Sequence, residues 1–301
     1  PRDSYILTNK LSSPYFQSQE DIRPFFESQL QICGADYFDF YLMHAQDRNN
    51  YKKYQRCRAY ETCYAFKEEG LIRHFGISFH DKAEVLDMIL TEHPEIEVVQ
   101  IQFNYVDYED GSVESKKVYE VCEKHGKPVI VMEPVKGGTL ARIPEEAEAK
   151  LRAVHPDWMP SDWALRFVQS LPGVEICLSG MGAVEQVQSN IQPFEPLTGE
   201  ETALLAEVAE IIRGKTAIGC TGCGYCVNHC PKQIPIPKYI KLYNEITRYP
   251  GDDWKIIPTY HQMALSAGKA SDCIGCHSCE KHCPQKLTIS EHMKTIAQRF
   301  E

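Results

Sequence analysis

Two short runs of cysteine near the C-terminus constrain this chain more than any other feature. Cys220-x2-Cys223-x2-Cys226-x3-Cys230-Pro231 is followed by Cys273-x2-Cys276-x2-Cys279-x3-Cys283-Pro284. Three cysteines at two-residue gaps wrap a loop around one corner of a four-iron, four-sulfur cubane, each thiolate reaching a different iron. The fourth cysteine comes a turn further on and faces away from its own loop. Pro231 and Pro284 end each loop and remove a backbone donor near the sulfur. Gly222, Gly224 and Gly275 let the backbone approach an inorganic sulfide closely. Structural zinc is the rival reading, but zinc uses pairs of cysteines rather than two such quartets. Cys33, Cys57, Cys63, Cys122 and Cys177 are scattered and form no metal motif; buried free thiols are expected there.

The two runs resemble those of bacterial two-cluster ferredoxins, in which the fourth cysteine of each run serves the other cluster. The resemblance implies two [4Fe-4S] clusters. One would be held by Cys220, Cys223, Cys226 and Cys283, the other by Cys273, Cys276, Cys279 and Cys230. The spacer departs from that family: 42 residues separate Cys230 from Cys273 and include Tyr239, Tyr243, Tyr249, Trp254 and Tyr260. These aromatics are expected to pack a small, mainly helical core around the clusters. His229, His277 and His282 flank cluster cysteines, and solvent-exposed imidazoles are expected.

Charge narrows the setting. The chain of 301 residues has a formal net charge of -10. Two cubane cores on eight thiolates would add about four more negative charges. With no basic tract or stripe, neither nucleic acid nor an anionic membrane is an expected partner. No apolar run approaches the ~18 residues of a spanning helix, and no signal peptide opens the chain. Free thiols and exposed cubanes point to a reducing, cytoplasmic compartment, best matched by an anaerobic bacterium.

The first 200 residues read as alternating strands and helices. Apolar runs occur at 5–8, 37–43, 74–78, 98–103, 129–132 and 174–178. Between them lie helical patterns near 20–33, 57–69, 82–92, 113–125 and 160–170, several ending near Gly34, Gly70 and Gly126. Such alternation implies a parallel sheet with helices outside. No G-x-G-x-x-G follows any strand, which disfavours a Rossmann fold. Polar or flexible groups instead recur where strands run out: Lys10, His44, Ser78, Gln100 to Asn104, Met132-Glu133, and Ser179 to Gly182. That is where a (β/α)8 barrel carries its chemistry. A helix near 200–213 is expected to lead from the barrel, covering one of its faces, to the cluster domain, which sets boundaries of 1–197, 198–214 and 215–301.

These strand-end residues, in this order, resemble the aldo-keto reductases, and more closely a bacterial branch with a ferredoxin-type C-terminal extension. The carrying segments are Tyr5 to Lys10, Asp39 to His44, Gly76 to Ser78, Val99 to Asn104, Met132 to Gly138, and Ser179 to Asn190. The resemblance implies a (β/α)8 TIM barrel that binds NADH or NADPH in extended form and reduces a small-molecule aldehyde or ketone. It gives Lys10 and His44 catalytic roles: the lysine lowers a tyrosine's pKa and the histidine polarises the substrate carbonyl. It places Ser78 and Gln100 on the nicotinamide carboxamide, and Met132 and Glu133 beside the nicotinamide, with methionine where many members have a stacking tyrosine. Gly137 and Gly138 would pass close to the pyrophosphate, and Gly180, Met181, Gln186 and Asn190 would surround the adenosine. Members strict for NADPH usually carry Lys and Arg in that last segment, so Gly180 and Gln186 point to NADH or a relaxed choice.

Six strands are visible where the barrel needs eight, and the family's Asp and Tyr precede the strand that ends in Lys. Tyr5, read as part of that strand, is the only tyrosine before Lys10. A barrel short of two strands would bare its edges. The first two strands and the acid are therefore expected to lie before Pro1; the alternative is a shortened protein that has lost carbonyl reduction or is completed by another chain. Two functions follow. In one, a nicotinamide-dependent reductase carries clusters that relay electrons to a redox protein partner, with a flavin compatible but marked by no motif. In the other, the barrel is a scaffold and the chain only transfers electrons.

Overall fold

The computed structural model describes residues 1–110, 113–248 and 253–301. It divides into two compact units, one comprising residues 1–103, 114–134 and 168–179, the other 104–113, 135–167 and 180–301.

The first unit holds a sheet of six strands in sequential order: β1 Thr8–Leu11, β2 Phe38–Gln46, β3 Ile72–Phe79, β4 Val98–Gln102, β5 Val129–Met132 and β6 Val174–Cys177. Every neighbouring pair is parallel, so all six strands end on one side. Among the described residues β1 and β6 are the two edges of the sheet. The crossovers are helical: α1 Ile22–Cys33, α2 Arg48–Arg56, α3 Ala59–Glu68, α4 Ala83–Glu92 and α5 Ser115–Lys124. β4 is buried along its whole length, as a strand covered on both faces must be. Gly76 is forced by its neighbours: a Cβ there would lie 2.4 Å from the Val98 carbonyl oxygen. Phe26 of α1 meets Tyr41 and Phe38 edge-on at 4.9 and 5.5 Å, locking the first crossover onto β2. At the amino ends, buried Asp39 accepts from Leu7 N at 2.9 Å and pairs with Arg2 at 2.7 Å and Arg73 at 2.9 Å.

The expected alternation is therefore present, with three corrections. Tyr5 lies before β1, half exposed, because the 3-10 turn Arg2–Ser4 occupies the preceding residues. β2 and β3 run past the ends of their apolar stretches. The helix read over 57–69 is α3, and a further helix not read from the sequence, α2, precedes it, the two parted at Arg58, whose φ is +50°.

In the second unit, α6 Glu145–Val154 packs against α9 Gly199–Lys215, while α7 Pro160–Gln169 and α8 Val184–Asn190 lie between them in sequence. The C-terminal part is helical: α10 Ile236–Arg248, α11 Asp253–Ala264 and α12 Ile289–Phe300. Tyr239 and Tyr260 are fully buried in its core, and Tyr260 stacks on Phe300 at 4.9 Å. Tyr243 packs against the same core, but Trp254 is 77% exposed, contrary to the expectation that it would be packed inside. Tyr249 lies outside the described residues. No described helix is long and apolar enough to cross a membrane.

Candidate functional site

Parallel strands deliver their carboxyl ends to one rim, and there the predicted polar residues of the first unit stand. Lys10 is on β1 and His44 near the end of β2. The strand is irregular just past the histidine: the β2–β3 register shifts between Met43 and Gln46, and Ala45 has a φ of +53°. Such a bulge re-aims side chains at a rim. Ser12 Oγ lies 2.6 Å from His44 Nδ1. Tyr54 of α2 donates to the carbonyls of Leu11 at 2.5 Å and His44 at 3.0 Å, tying the ends of β1 and β2 together.

The electrostatics of this rim follow from burial. Burial, reinforced by the Lys10 cation, lowers His44 to about 4. Burial, with His44 and Lys10 nearby, holds His80 at about 4 as well. Burial also lowers Lys10. Both imidazoles are thus neutral near pH 7. When the Ser12 hydroxyl donates to Nδ1, the ring proton sits on Nε2, free to donate to a carbonyl oxygen.

Ser78 and Gln100 are register partners on β3 and β4 and are almost wholly buried. Ser78 Oγ accepts from Ala45 N at 2.9 Å. Gln100 Nε2 contacts Met132 Sδ at 3.1 Å, while its Oε1 is buried without a hydrogen-bond partner. An orphaned buried acceptor carries a desolvation cost, and the N–H group of a carboxamide would relieve it. Glu133 follows directly at a φ of +58°. These residues fit a nicotinamide ring.

The other predicted contacts fall in the second unit. Gly137 and Gly138 have φ of +61° and +90°, and a Cβ on Gly137 would sit 2.9 Å from the Thr221 carbonyl oxygen. Gly180 and Met181 are exposed. Gln186 uses its side chain locally, accepting from Gly182 N at 2.7 Å and Ala183 N at 3.2 Å. Asn190 ends α8.

The eight cysteines form two groups. Cys220, Cys223, Cys226 and Cys283 line one cavity; Cys230, Cys273, Cys276 and Cys279 line another. The fourth thiol of each run is therefore beside the first three of the other. Burial, helped by neighbouring Cys220, Cys223 and Cys283, pushes the Cys226 thiol up to about 12. Burial likewise raises Cys279 to about 11, with Glu280, Cys230 and Cys273 contributing. The thiols surround a volume: among the described residues no group of three or more His, Cys, Asp or Glu is placed to hold a metal ion. A cubane, whose four thiolates stand on four separate irons, fits such a cavity. Ile218, at the entry to the first run, is fixed by Asn244 of α10, whose Oδ1 accepts from its N–H at 2.9 Å and whose Nδ2 donates to its carbonyl at 2.6 Å. His229 and His282 are exposed as expected and stack at 3.4 Å.

Sequence reasoning missed Ser12, Tyr54 and His80 on the rim, since their partners lie one or two strands away. It also missed the buried ion pair between Lys136 and Asp107. Lys136 carried a signal, being a cation inside the glycine-rich turn.

Comparison with known proteins agrees with this architecture. Residues 1–210 match the profile described as the aldo/keto reductase family, and residues 219–288 match a 4Fe-4S dicluster domain. An uncharacterised oxidoreductase of Schizosaccharomyces pombe is 28% identical over 182 residues, covering 60% of this chain and 53% of that protein. The uncharacterised oxidoreductase YtbE of Bacillus subtilis is 25% identical over 147 residues, covering 49% and 48%. The chain thus spans about half the length of the curated relatives it matches. In fold it is similar to an aldo-keto reductase of Bacillus halodurans in its holo form, at TM-score 0.55, 23% identity and coverage of 69% and 73%. An aldo/keto reductase of Klebsiella pneumoniae in complex with NADP and acetate gives TM-score 0.56, 20% identity and coverage of 69% and 71%. The chain belongs to the aldo/keto reductase family and carries a 4Fe-4S ferredoxin-type domain at its C-terminus.

Proposed function

We propose that this protein is a nicotinamide-dependent oxidoreductase acting on a small aldehyde or ketone, and that its eight cysteines hold two [4Fe-4S] clusters in the crossed sets described above. The observation that carries the first part is the unpartnered Gln100 Oε1, buried beside Ser78 on a rim that also bears Lys10 and His44. When bound, the nicotinamide supplies a hydride. Ser78 and Gln100 orient its carboxamide, and Met132 packs at its edge. His44 donates a hydrogen bond from Nε2 to the carbonyl oxygen, the Lys10 cation favours negative charge growing there, and solvent water supplies the proton that completes the alcohol. Gly137 and Gly138 give passage to the pyrophosphate, and Gly180, Met181, Gln186 and Asn190 border the adenosine. The absence of a Lys or Arg at 180 and 186 favours NADH or a relaxed choice.

The clusters, when bound, supply one-electron transfer to a redox protein partner, a step that carbonyl reduction itself does not use. We assign the barrel to 1–197, the connecting helix to 198–214 and the cluster domain to 215–301, working in a reducing, cytoplasmic compartment. Equilibrium titration of the full-length protein with NADH and NADPH, read by fluorescence, tests the reading. Binding that weakens about tenfold in Gln100→Ala is expected from loss of a buried polar contact. A Gln100→Ala protein that binds both cofactors like wild type contradicts it.

A further inference from the structure

The two cysteine runs are copies of one motif, and setting one on the other shows where they differ. Cys220 to Lys232 aligns without a gap on Cys273 to Gln285. Thr221 of the first run then answers to Ile274 of the second, Asn228 to Lys281, and Lys232 to Gln285. Exposure of the thiols does not separate the runs, since the second cysteine of each, Cys223 and Cys276, is exposed. The residue after the first cysteine does. Thr221 is 7% exposed, and its carbonyl oxygen lies 2.9 Å from where a Cβ on Gly137 would sit, so this loop is covered. Ile274 is 62% exposed.

A lone exposed isoleucine is ordinary on a surface; the setting of this one is not. Ile274 lines the same cavity as Lys232, His229 and His277, beside Cys276. His229 stacks on His282 at 3.4 Å, which sets the stretch ending in Lys232 beside the one holding Lys281. Lys232 and Lys281 are exposed, and neither makes a hydrogen bond or ion pair among the described residues. The neighbouring carboxylates are already engaged. Glu280 accepts from Ser290 Oγ at 2.7 Å and contacts His277 at 2.9 Å, and Asp272 accepts from Lys269 N at 2.8 Å. The first cavity has Gln285 in place of Lys232 and is lined by no cation among the described residues. The wider balance agrees: residues 215–301 hold 11 Lys and Arg against 7 Asp and Glu, in a chain whose net charge is -10.

We propose that this face, centred on Ile274 and Lys232 beside Cys276, docks a small acidic one-electron carrier protein. The proposal rests on the reading that Cys230, Cys273, Cys276 and Cys279 hold a cubane; it adds which of the two clusters meets the partner and what charge the partner bears. Ile274 supplies an apolar centre, and Lys232 and Lys281 supply the charge complementary to carboxylates. Electron-transfer contacts are small and weak, which suits a patch of this size. The cluster cavity beneath the face favours a redox protein over other acidic partners. One electron passes between the cluster and the carrier's redox centre, one reduced as the other is oxidised, and no atom or proton moves with it.

The test is calorimetric titration of anaerobic, cluster-loaded full-length protein with an acidic [2Fe-2S] ferredoxin, and with basic cytochrome c as counter-probe. Iron and cluster absorbance are measured first in every preparation, which shows that each variant has kept its fold. The ferredoxin is expected to bind, less tightly as salt rises. Lys232→Glu and Ile274→Asp should each weaken it about tenfold or more. Lys52→Glu, the same reversal on an exposed position of α2, should leave it unchanged. Three results overturn the docking proposal alone: no binding to protein that holds about eight iron, equal binding to the Lys232 and Ile274 variants, or cytochrome c that binds as well as ferredoxin. Self-association of the protein that Ile274→Asp abolishes assigns the face to a second copy of the chain and overturns it too. Protein that takes up no iron overturns the cluster reading, and the proposal with it.

Discussion

Ser12 Oγ lies 2.6 Å from His44 Nδ1, across the carboxyl ends of two adjacent parallel strands. This contact engages Nδ1 and, on the proposed reading, leaves Nε2 for the substrate. Replacing Ser12 by Ala should lower kcat/KM for carbonyl reduction about tenfold, and His44→Gln about a hundredfold or more, in the range lost with a positioned proton donor. Steady-state kinetics of the full-length protein measure both. The Ser12 variant should keep its melting temperature, since the hydroxyl supports only the ring.

The neutral imidazoles make stability depend on pH. His44 and His80 titrate near 4 in the folded protein, against an ordinary value of 6.5. Between those values the unfolded chain binds more protons, so stability rises with pH there. Their contribution is complete above about pH 6.5 and is lost as the pH falls toward about 4. Denaturant unfolding at pH 7.5 and pH 5 should differ by about 2 kcal/mol for each histidine. His44→Gln should flatten the profile by its own share.

How far was this legible beforehand? The runs at 98–103 and 129–132 matched β4 and β5 because β5 is wholly apolar and, in β4, Gln100 and Gln102 are set among Val98, Val99 and Ile101. Lys10 and His44 stood out because each ends an apolar run. α2 was missed for the opposite reason. Its sequence, RNNYKKYQR, is polar apart from Tyr51 and Tyr54, and only those two are buried. Its start was readable in Asp47, which caps the helix by accepting from Asn49 N and Asn50 N, each at 2.7 Å. His80 could not be placed, since its link to His44 and Lys10 arises when β3 is set beside β2. Trp254 misled because aromatic residues are usually buried, and nothing local marks one that faces solvent.

Asn244 joins α10 to the start of the first cysteine run through both polar atoms of Ile218. Asn244→Ala leaves the buried Ile218 N–H unpaired, while the Ile218 carbonyl keeps its bond from Cys220 N at 2.8 Å, a loss of about 1–2 kcal/mol. The damage should be local. Iron analysis after desalting should fall from about eight per chain toward about four, as one cubane is shed.

The crossing of the runs can be read by serine substitution. With Cys273, Cys276 and Cys279 all changed to Ser, the cavity lined by Cys220, Cys223, Cys226 and Cys283 is intact. About four iron per chain should remain. Adding Cys283→Ser should remove most of it, whereas adding Cys230→Ser should not. If Cys230→Ser alone empties the remaining site, each run serves its own cluster.

The most direct test of the reductase account is anaerobic NADH or NADPH oxidation by the full-length, cluster-loaded protein with a panel of small aldehydes and ketones. The account predicts carbonyl-dependent cofactor oxidation that falls at least about a hundredfold in His44→Gln. No carbonyl-dependent oxidation across the panel, or turnover that is the same in His44→Gln, would contradict it.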